Sequence, residues 1–284
     1  SNNRVGGLVG WNQGGTVRGS SATGAVSGGV AAGGLVGDNV GTVSESHATM
    51  NVSGDTSVGG LIGSNSGNVN MSYVTGSVSG SNFQVGGLIG YNDFGTVNVS
   101  YSTGNVSGDV VGGLVGRNDF GTVSKSYATG KVTASSTAGG LVGDNRGTVT
   151  NSYWNIETTR QNTSDGGAGL TTSEMTGADS ESNMNFSFGT TWGVVDNSTH
   201  ISYPYLQDNT QTPAPGLQSV SMSGPYAGGS GTESDPYQIT NWYHLNNTRL
   251  NLDANFTLVA DLNESTDGYD DVASETANGG NGFF

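Results

Sequence analysis

Four aspartates lie beside an asparagine that recurs along the first half of the chain: Asp38, Asp93, Asp119 and Asp144. Asp93 and Asp119 hold equivalent positions in neighbouring copies of a repeated phrase, so they would lie about 5 Å apart if the copies stacked as strands. Carbohydrate-active β-helices use clustered carboxylates, or Ca²⁺ with a basic residue. Because no lysine or arginine recurs beside the pair, the favoured interpretation is two solvated residues in Asx-type turns.

A second candidate site lies near residue 265 and resembles part of a calcium loop. Oxygen-bearing side chains occupy every second position there: Asp261, Asn263, Ser265 and Asp267. The twelfth position of the loop is Val272 rather than a glutamate, so the match to an EF-hand is partial. Ca²⁺ is therefore the single candidate cofactor, and a polar loop after a strand is the favoured interpretation.

The other residues that do chemistry are scattered or absent. His47, His200 and His244 lie far apart, and no HExxH spacing occurs, which argues against a catalytic zinc. The chain has no cysteine, and its serines form no GxSxG elbow. These patterns predict a protein that is not an enzyme and has no catalytic residue.

The elements that must position these residues are six copies of the phrase GGL(V/I)G-x-N. One leucine per copy defines the period: Leu8, Leu35, Leu61, Leu88, Leu114 and Leu141. One asparagine per copy follows it: Asn12, Asn39, Asn65, Asn92, Asn118 and Asn145. The leucine spacing alternates between 27 and 26 residues. A fixed period of this size is typical of solenoids, in which each coil packs on its neighbours.

The pattern inside each copy is that of β-strands. Residues 126–132 alternate small or apolar residues with Tyr127, Thr129 and Lys131, which predicts a strand with a thin inner face. We therefore predict an all-β fold, a β-solenoid (parallel β-helix) of about six 26–27-residue coils with about three strands each. Equal residues would then stack in ladders, and the asparagines would hydrogen-bond along the axis. Two longer arcs predict that Phe94 and Phe120 stack on one edge.

The repeat pattern, GGL(V/I)G-x-N-x-G-T-V-x-x-S-Y-A-T-G-x-V-S-G, resembles the GLUG repeat of bacterial and archaeal surface proteins, including large adhesins and stalks of secreted peptidases. The resemblance covers residues 5–156. Ser152–Asn155 (SYWN), Gly169–Met175 (GLTTSEM) and a stretch ending at Leu206 are similar to the segment that commonly follows such repeats. The resemblance implies a secreted or cell-surface β-solenoid and implies no activity.

The sequence divides into four segments. They are residues 1–156 with the repeats, residues 157–210 as a plug over the open end of the stack, residues 211–216 as a linker, and residues 217–284 as a small α+β unit of strand, helix and strand. Thr171 and Glu174 have capping-box spacing, which predicts a short helix. Asn241 is the predicted N-cap of a helix that begins at Trp242.

The C-terminal unit is also a predicted partner surface. It has the pattern of an opening cap, but no coil follows it, whereas the first repeat begins almost at residue 1. One hypothesis is that residues 217–284 of one molecule cap the first coil of the next copy, which gives a head-to-tail filament. The alternative is a fragment of a longer tandem array. Surface glycans and host or neighbouring cells are the other predicted partners.

Ten N-x-S/T sequons make the chain a glycoprotein candidate if its source glycosylates surface proteins. Their asparagines are Asn51, Asn70, Asn98, Asn105, Asn162, Asn185, Asn197, Asn246, Asn255 and Asn263. Composition alone explains several of them, because the chain is rich in asparagine, serine and threonine. Asn98 and Asn105 are the predicted exposed candidates.

Charge limits the classes of partner. The net charge is −15, and residues 157–284 hold sixteen acids against two bases. So few cations cannot neutralise phosphates, which excludes nucleic acid and disfavours anionic membranes as partners. No apolar run approaches the length of a membrane span, and no basic, apolar leader is present, which suggests a mature form or an internal segment.

These patterns predict an extracellular or cell-surface protein with a structural or adhesive role. It would be a repeating subunit or a segment of a prokaryotic cell-surface filament. Two alternatives remain open: a carbohydrate-active β-helix enzyme, and the non-catalytic stalk of a larger secreted enzyme.

Overall fold

The chain folds into a β-solenoid of six stacked coils, which confirms the predicted all-β class. The computed structural model describes residues 4–197, 200–209, 211–219, 226, 228–248, 253–263, 266, 269 and 273. Glycines and left-handed corners interrupt the chain every few residues, so the first coil has five short strands between Arg4 and Ser27. The expectation of three strands per coil is therefore wrong.

Four parallel sheets run along the coils. The first contains Arg4–Gly6, Ala25–Ser27, Ala31–Gly33, Asn51–Gly54, Ser57–Gly59, Val78–Gly80, Val85–Gly86, Val106–Gly112 and Val132–Gly139. The second contains Val9–Asn12, Val36–Asn39, Ile62–Asn65, Ile89–Asp93, Val115–Asp119 and Val142–Asn145. The third contains Thr16–Arg18, Thr42–Ser44, Asn68–Asn70, Thr96–Asn98, Thr122–Ser124 and Thr148–Thr150. The fourth contains Ser21–Ala22, His47–Ala48, Tyr73–Val74, Tyr101–Ser102, Tyr127–Ala128, Tyr153–Asn155 and Ala168–Leu170.

Strand register places equal residues of neighbouring coils opposite one another. Val97, for example, pairs with Val69 on one side and Val123 on the other. Five of the six ladder leucines are fully buried, whereas Leu8 in the first coil is 54% exposed. No described coil covers the outer side of Leu8, so its exposure follows from its place at the edge of the stack.

Two kinds of corner keep the coils narrow. A Cβ atom at Gly59 would collide with the carbonyl oxygen of Ile62, so the chain can fold back there only with glycine. A second corner is left-handed in every coil, with φ of 46–50° in the last five coils. Its residues there are Glu45, Met71, Val99, Lys125 and Asn151. Non-glycine residues are disfavoured in this conformation, so these corners are locally strained.

The segment after the repeats covers two surfaces. Residues 157–170 lie on the last coil, where Ala168–Leu170 extends the fourth sheet and α1 (Ile156–Thr159) is capped by the side chain of Asn155. The following residues instead lie against the tyrosines of the fourth sheet. They include a 3-10 turn at Ser173–Met175, α2 at Gly177–Asn183 and the antiparallel strands Trp192–Gly193 and Tyr205–Leu206. The predicted capping box at Thr171 and Glu174 is confirmed by reciprocal hydrogen bonds.

The chain separates into two compact units. The first comprises residues 1–195 and 202–216, and the second comprises residues 196–201 and 217–284. Residues 211–216, the predicted linker, belong to the first unit, where the backbone oxygen of Pro215 accepts a hydrogen bond from the amide of Tyr203. The coils and the segment that covers their tyrosines therefore form one unit.

The second unit has the predicted strand–helix–strand order. Its parallel strands Tyr237–Ile239 and Phe256–Leu258 flank α3 (Trp242–Asn247), and His200–Ile201 pairs with Gln218–Ser219. Asn241 caps α3, as predicted, by accepting a 2.8 Å hydrogen bond from the amide of His244. Among the described residues of the chain, no helix has the length and apolar character needed to cross a membrane.

Candidate functional site

A buried asparagine ladder ties the coils together. The side-chain amide of Asn65 donates a 2.8 Å hydrogen bond to Oδ1 of Asn92, whose own amide donates to Oδ1 of Asn118 at 2.7 Å. Each amide also donates to a glycine carbonyl in its own arc, as Asn92 does to Gly95. The full ladder is Asn12, Asn39, Asn65, Asn92, Asn118 and Asn145. Because the hydrogen-bond donors of these amides are satisfied inside the fold, the ladder is structural.

A charged cluster occupies the outer face of the second sheet in the last three coils. We call it the Arg117 cluster; it comprises Tyr91, Arg117, Asp119, Asp144 and Arg146. Arg117 lies 2.9 Å from Oδ2 of Asp119 and 3.5 Å from Asp144. Tyr91 donates a 3.1 Å hydrogen bond to the same Oδ2 of Asp119. Arg146 is held more loosely, at 3.9 Å from both aspartates.

The protonation states of this cluster suit binding rather than proton transfer. Burial opposes the ionisation of Asp119, but hydrogen bonds from Arg117 and Tyr91 outweigh it and lower the pKa of Asp119. Burial, followed by the hydrogen bond to Asp119, raises the pKa of Tyr91 to about 12. Near neutral pH, Asp119 stays charged and Tyr91 keeps its proton. A general acid or base needs a pKa near the working pH, so neither residue is suited to that role.

The Arg117 cluster corrects the sequence-based interpretation of the aspartates. Asp93 and Asp119 are opposite in register, as predicted, but Asp119 is only 7% exposed and is paired with arginine. The expectation of two solvated residues without a basic partner is therefore wrong for Asp119. Arg117 lies two residues before Asp119 on the same strand face, and Arg146 lies two residues after Asp144, just past the end of its strand. This period-two spacing was the signal that could have revealed both arginines.

Phe94 and Phe120 follow the two aspartates and form an exposed aromatic pair. Their ring centroids are 5.1 Å apart, which confirms the predicted stacking. The side chains are 70% and 65% exposed, and both residues have left-handed backbones with φ of 58° and 56°. Large exposed apolar groups are most informative when they cluster, so the pair marks a candidate interaction surface.

A shallow groove of about 560 Å³ runs along part of the first sheet, and its lining is mixed, with alanine and valine beside polar side chains. Its outward side chains form two columns. They are Ala25, Asn51, Ser77, Asn105 and Lys131 in one, and Ser27, Ser53, Ser79, Ser107 and Thr133 in the other. Hydroxyls and amides can bind polar ligands, but Lys131 is the one titratable group among the lining residues, so the groove lacks a catalytic pair.

The outward tyrosine ladder is buried rather than exposed. Tyr101 and Tyr127 stack at 5.0 Å and are fully buried beneath Trp192 and the chain around it. Burial raises the pKa of both tyrosines well above the usual value. His47 continues the ladder by stacking on Tyr73 at 4.7 Å, as predicted from its position. The ladder is therefore unavailable to sugars or to a neighbouring filament.

The structure brings no metal site together within the residues it describes. No group of three or more histidines, aspartates and glutamates there is placed to hold an ion. In the calcium-loop candidate, Asp261 and Asn263 are described, and their backbone atoms bond to the hydroxyl of Thr266. Ser265 and Asp267 lie outside the described residues, so the calcium site stays a prediction.

The ten sequon asparagines differ in exposure. Asn70, Asn98 and Asn246 are half-buried, and the amide of Asn98 donates a 2.8 Å hydrogen bond to Asn70. The other seven are exposed: Asn51, Asn105, Asn162, Asn185, Asn197, Asn255 and Asn263. Asn105 remains a predicted modification site by exposure, whereas a glycan on Asn98 would have to replace a hydrogen-bonded hydrogen.

Comparison with known families gives one match. The model of the GLUG motif matches residues 1–27 and residues 108–133. The chain carries GLUG motifs. The two matches cover less than a quarter of the chain and fall on the first coil and on the coil that contains Tyr127. No curated protein and no solved structure matched the chain.

The GLUG motif gives the shared scaffold and leaves the outer face free to vary. It is in general a non-catalytic repeat. In the second to fifth coils, the repeated leucine, asparagine and serine are fully buried, whereas the residue before the asparagine points outward. That outward position is Trp11, Asp38, Ser64, Tyr91, Arg117 and Asp144 in successive coils. Tyr91, Arg117 and Asp144 of the Arg117 cluster therefore occupy this variable position, whereas Asp119 and Arg146 directly follow the ladder asparagine.

Proposed function

We propose that this protein is an extracellular structural and adhesive component, whose GLUG solenoid forms a stiff segment of a cell-surface filament or stalk. The observation that carries the proposal is the unbroken asparagine ladder, which joins six coils by direct amide hydrogen bonds. Each coil adds about 4.8 Å of length along the axis. Repetition therefore lengthens the solenoid without requiring any new kind of contact.

The chemistry of the outer surface supports a role without turnover. Asp119 and Tyr91 hold fixed protonation states near neutral pH, and the polar groups of the groove are hydroxyls, amides and one lysine. These groups bind and position polar partners, but they do not form an acid–base pair. A stalk that carries a separate enzyme would use the same stiff segment.

Protease shaving of intact source cells tests the extracellular role. A protease that cannot enter cells should release peptides of this chain, and mass spectrometry of the supernatant identifies them. A cytosolic protein of similar abundance is the control and should stay behind. Recovery of this chain only after the cells are lysed would contradict the proposal.

The exposed edge of the first coil supports head-to-tail assembly. Leu8 and Trp11 are 54% and 44% exposed on that edge. In the second unit, a parallel strand pair ends near Leu258 and Val259, which are 58% and 50% exposed. An unpaired strand edge is a template for another strand. We propose that the second unit of one copy covers the first coil of another. In a longer polypeptide, a preceding coil would cover the same edge.

Electron microscopy and sedimentation velocity of the purified chain test this assembly. Filaments or short oligomers should form at high protein concentration. Leu8→Asp should abolish them, because a charge would be buried at the covered edge. Phe83→Asp, at an exposed phenylalanine between inner coils of the solenoid, is the matched control and should assemble normally. A monomer at all concentrations, or assembly that is indifferent to Leu8→Asp, would overturn this part of the proposal.

A further inference from the structure

The pair formed by Phe94 and Phe120 is costly to the fold and contributes little to its core. Both residues occupy the left-handed region, which bulky side chains rarely adopt. Their rings lie outside the described core clusters and remain mostly exposed. Strained, exposed residues of this kind point to a function rather than to stability.

The stack has only two members, so each ring keeps an open face. The neighbouring arcs on either side are one residue shorter and carry Ser66 and Arg146 in place of an aspartate–phenylalanine pair. Among the described aromatic residues, Phe94 and Phe120 contact only each other. The two outer faces of the pair are therefore free to receive another flat, apolar surface.

Polar groups beside the rings are suited to hydroxyl ligands. Asp93 directly precedes Phe94, is half-buried and makes no ion pair within the described part of the chain. Arg146 occupies the position in the sixth coil that Asp119 occupies in the fifth, directly after the ladder asparagine, and its side chain is 58% exposed. Its two ion-pair contacts are both at 3.9 Å, so its hydrogen-bond donors are not fully used. Asp119 itself is too buried for direct contact.

The size of the surface favours a small ligand over a protein. Two fully covered aromatic side chains bury at most about 500 Å². A stable protein interface needs about 800 Å² from each partner. A sugar ring presents an apolar face of C–H groups and a rim of hydroxyls, which matches an aromatic face with a charged residue close by: a carboxylate next to Phe94 and a guanidinium in the coil next to Phe120.

We propose that the Phe94–Phe120 pair is a binding site for a neutral oligosaccharide. A pyranose ring stacks on each open phenylalanine face; the sugar on Phe94 donates a hydroxyl to Asp93, and the sugar on Phe120 accepts from Arg146. This inference rests on the adhesive part of the proposed function, to which it gives a ligand class.

Binding of defined oligosaccharides to the full chain tests the site. The probes are cellohexaose, mannohexaose and chitohexaose, measured by saturation-transfer NMR and by calorimetry. At least one should bind, and the double variant Phe94→Gly/Phe120→Gly should weaken it at least tenfold. Glycine suits the left-handed backbone, so this variant keeps the arcs intact. Phe83→Ala, at another exposed phenylalanine, is the matched control and should bind as the unaltered chain does.

A second variant tests the polar contacts without removing the rings. Asp93→Asn/Arg146→Gln should weaken binding about tenfold while leaving the Phe94–Phe120 stack in place. Absence of binding by all three probes, or binding that survives the glycine variant, would overturn the proposal. If the unaltered chain binds no sugar, and the glycine variant loses self-association or binding to neutral lipid vesicles, the pair is assigned to that partner instead. If the protein is found on the cell surface but binds none of the probes, the sugar site is refuted and the proposed extracellular role is not.

Discussion

The hydroxyl of Tyr127 donates a 2.6 Å hydrogen bond to the backbone oxygen of Pro204, 77 residues further along the chain. This contact joins the tyrosine ladder to the segment that covers it. The amide of Asn209 adds a second link, because it donates to the backbone oxygens of Ser46 and Met71. The covering segment therefore runs back along several coils and gives the solenoid a second apolar core beside the first.

Removing the Tyr127 hydroxyl should loosen this cover. Tyr127→Phe leaves the buried oxygen of Pro204 without its donor, which costs about 1–2 kcal/mol of unfolding free energy. Tyr73→Phe is the matched control, because Tyr73 is buried in the same ladder without a hydrogen bond to its hydroxyl in the described structure. Urea denaturation measures both. Equal stability of the two variants would show that the Pro204 contact does not hold the cover.

Breaking the asparagine ladder should be more damaging than removing an exposed asparagine. Asn92→Ala removes the ladder partner of one side-chain N–H of Asn65 and of Oδ1 of Asn118. It also removes one of the two donors to the carbonyl of Gly95, which keeps only its bond from a backbone amide. We expect a loss of about 3 kcal/mol. Asn105→Ala, on the exposed face, should cost less than about 1 kcal/mol. Thermal unfolding of both variants measures the difference, and similar losses would contradict a structural role for the ladder.

The repeat period explains why the solenoid could be predicted from the sequence. Identical residues recur every 26 or 27 positions, so the leucine, asparagine and Phe94–Phe120 stacks follow once the coils are aligned. The number of strands did not follow, because left-handed corners at residues such as Met71 and Lys125 look like ordinary strand positions in the sequence. Only their φ values reveal where the chain turns.

Glycine at a left-handed corner should stabilise the fold. Lys125 has φ of 48°, which costs a non-glycine residue about 1–2 kcal/mol. Lys125→Gly removes that strain but raises the entropy of the unfolded chain, so we expect a net gain of about 0.5–1 kcal/mol. Lys131→Gly, beside a strand, should instead lose stability. Chemical denaturation compares the two, and a loss at both positions would contradict a strained corner at Lys125.

Acid should weaken the Arg117 cluster. The folded pKa of Asp119 lies below its ordinary value of about 3.9, so its charge stabilises the fold above that pH. This contribution is lost as the pH falls through the lowered folded pKa. Stability measured from pH 6 to pH 2 should fall more steeply for the unaltered chain than for Asp119→Asn. Parallel curves would show that the charge of Asp119 adds nothing to the fold.

The candidate site was harder to predict than the scaffold. Asp93 and Asp119 could be aligned from the repeat, but the partners of Asp119 come from three coils. Arg117 occupies a position that holds tyrosine in one neighbouring coil and aspartate in the other. A sequence column of unlike residues carries no repeat signal. The burial of the tyrosine ladder was equally hidden, since its cover comes from residues outside the repeats.

Engineered disulfides test the stacking of the coils most directly, because the chain has no cysteine of its own. Asn98 and Ser124 are register partners, so their Cα atoms should lie about 4.8 Å apart, within reach of a disulfide. Asn98→Cys/Ser124→Cys should oxidise to an intramolecular disulfide under native conditions. Asn98→Cys/Thr122→Cys, two residues out of register at about 8 Å, should stay reduced. Mass spectrometry distinguishes the two forms, and a disulfide in the offset pair but not in the aligned pair would contradict coils stacked residue on residue.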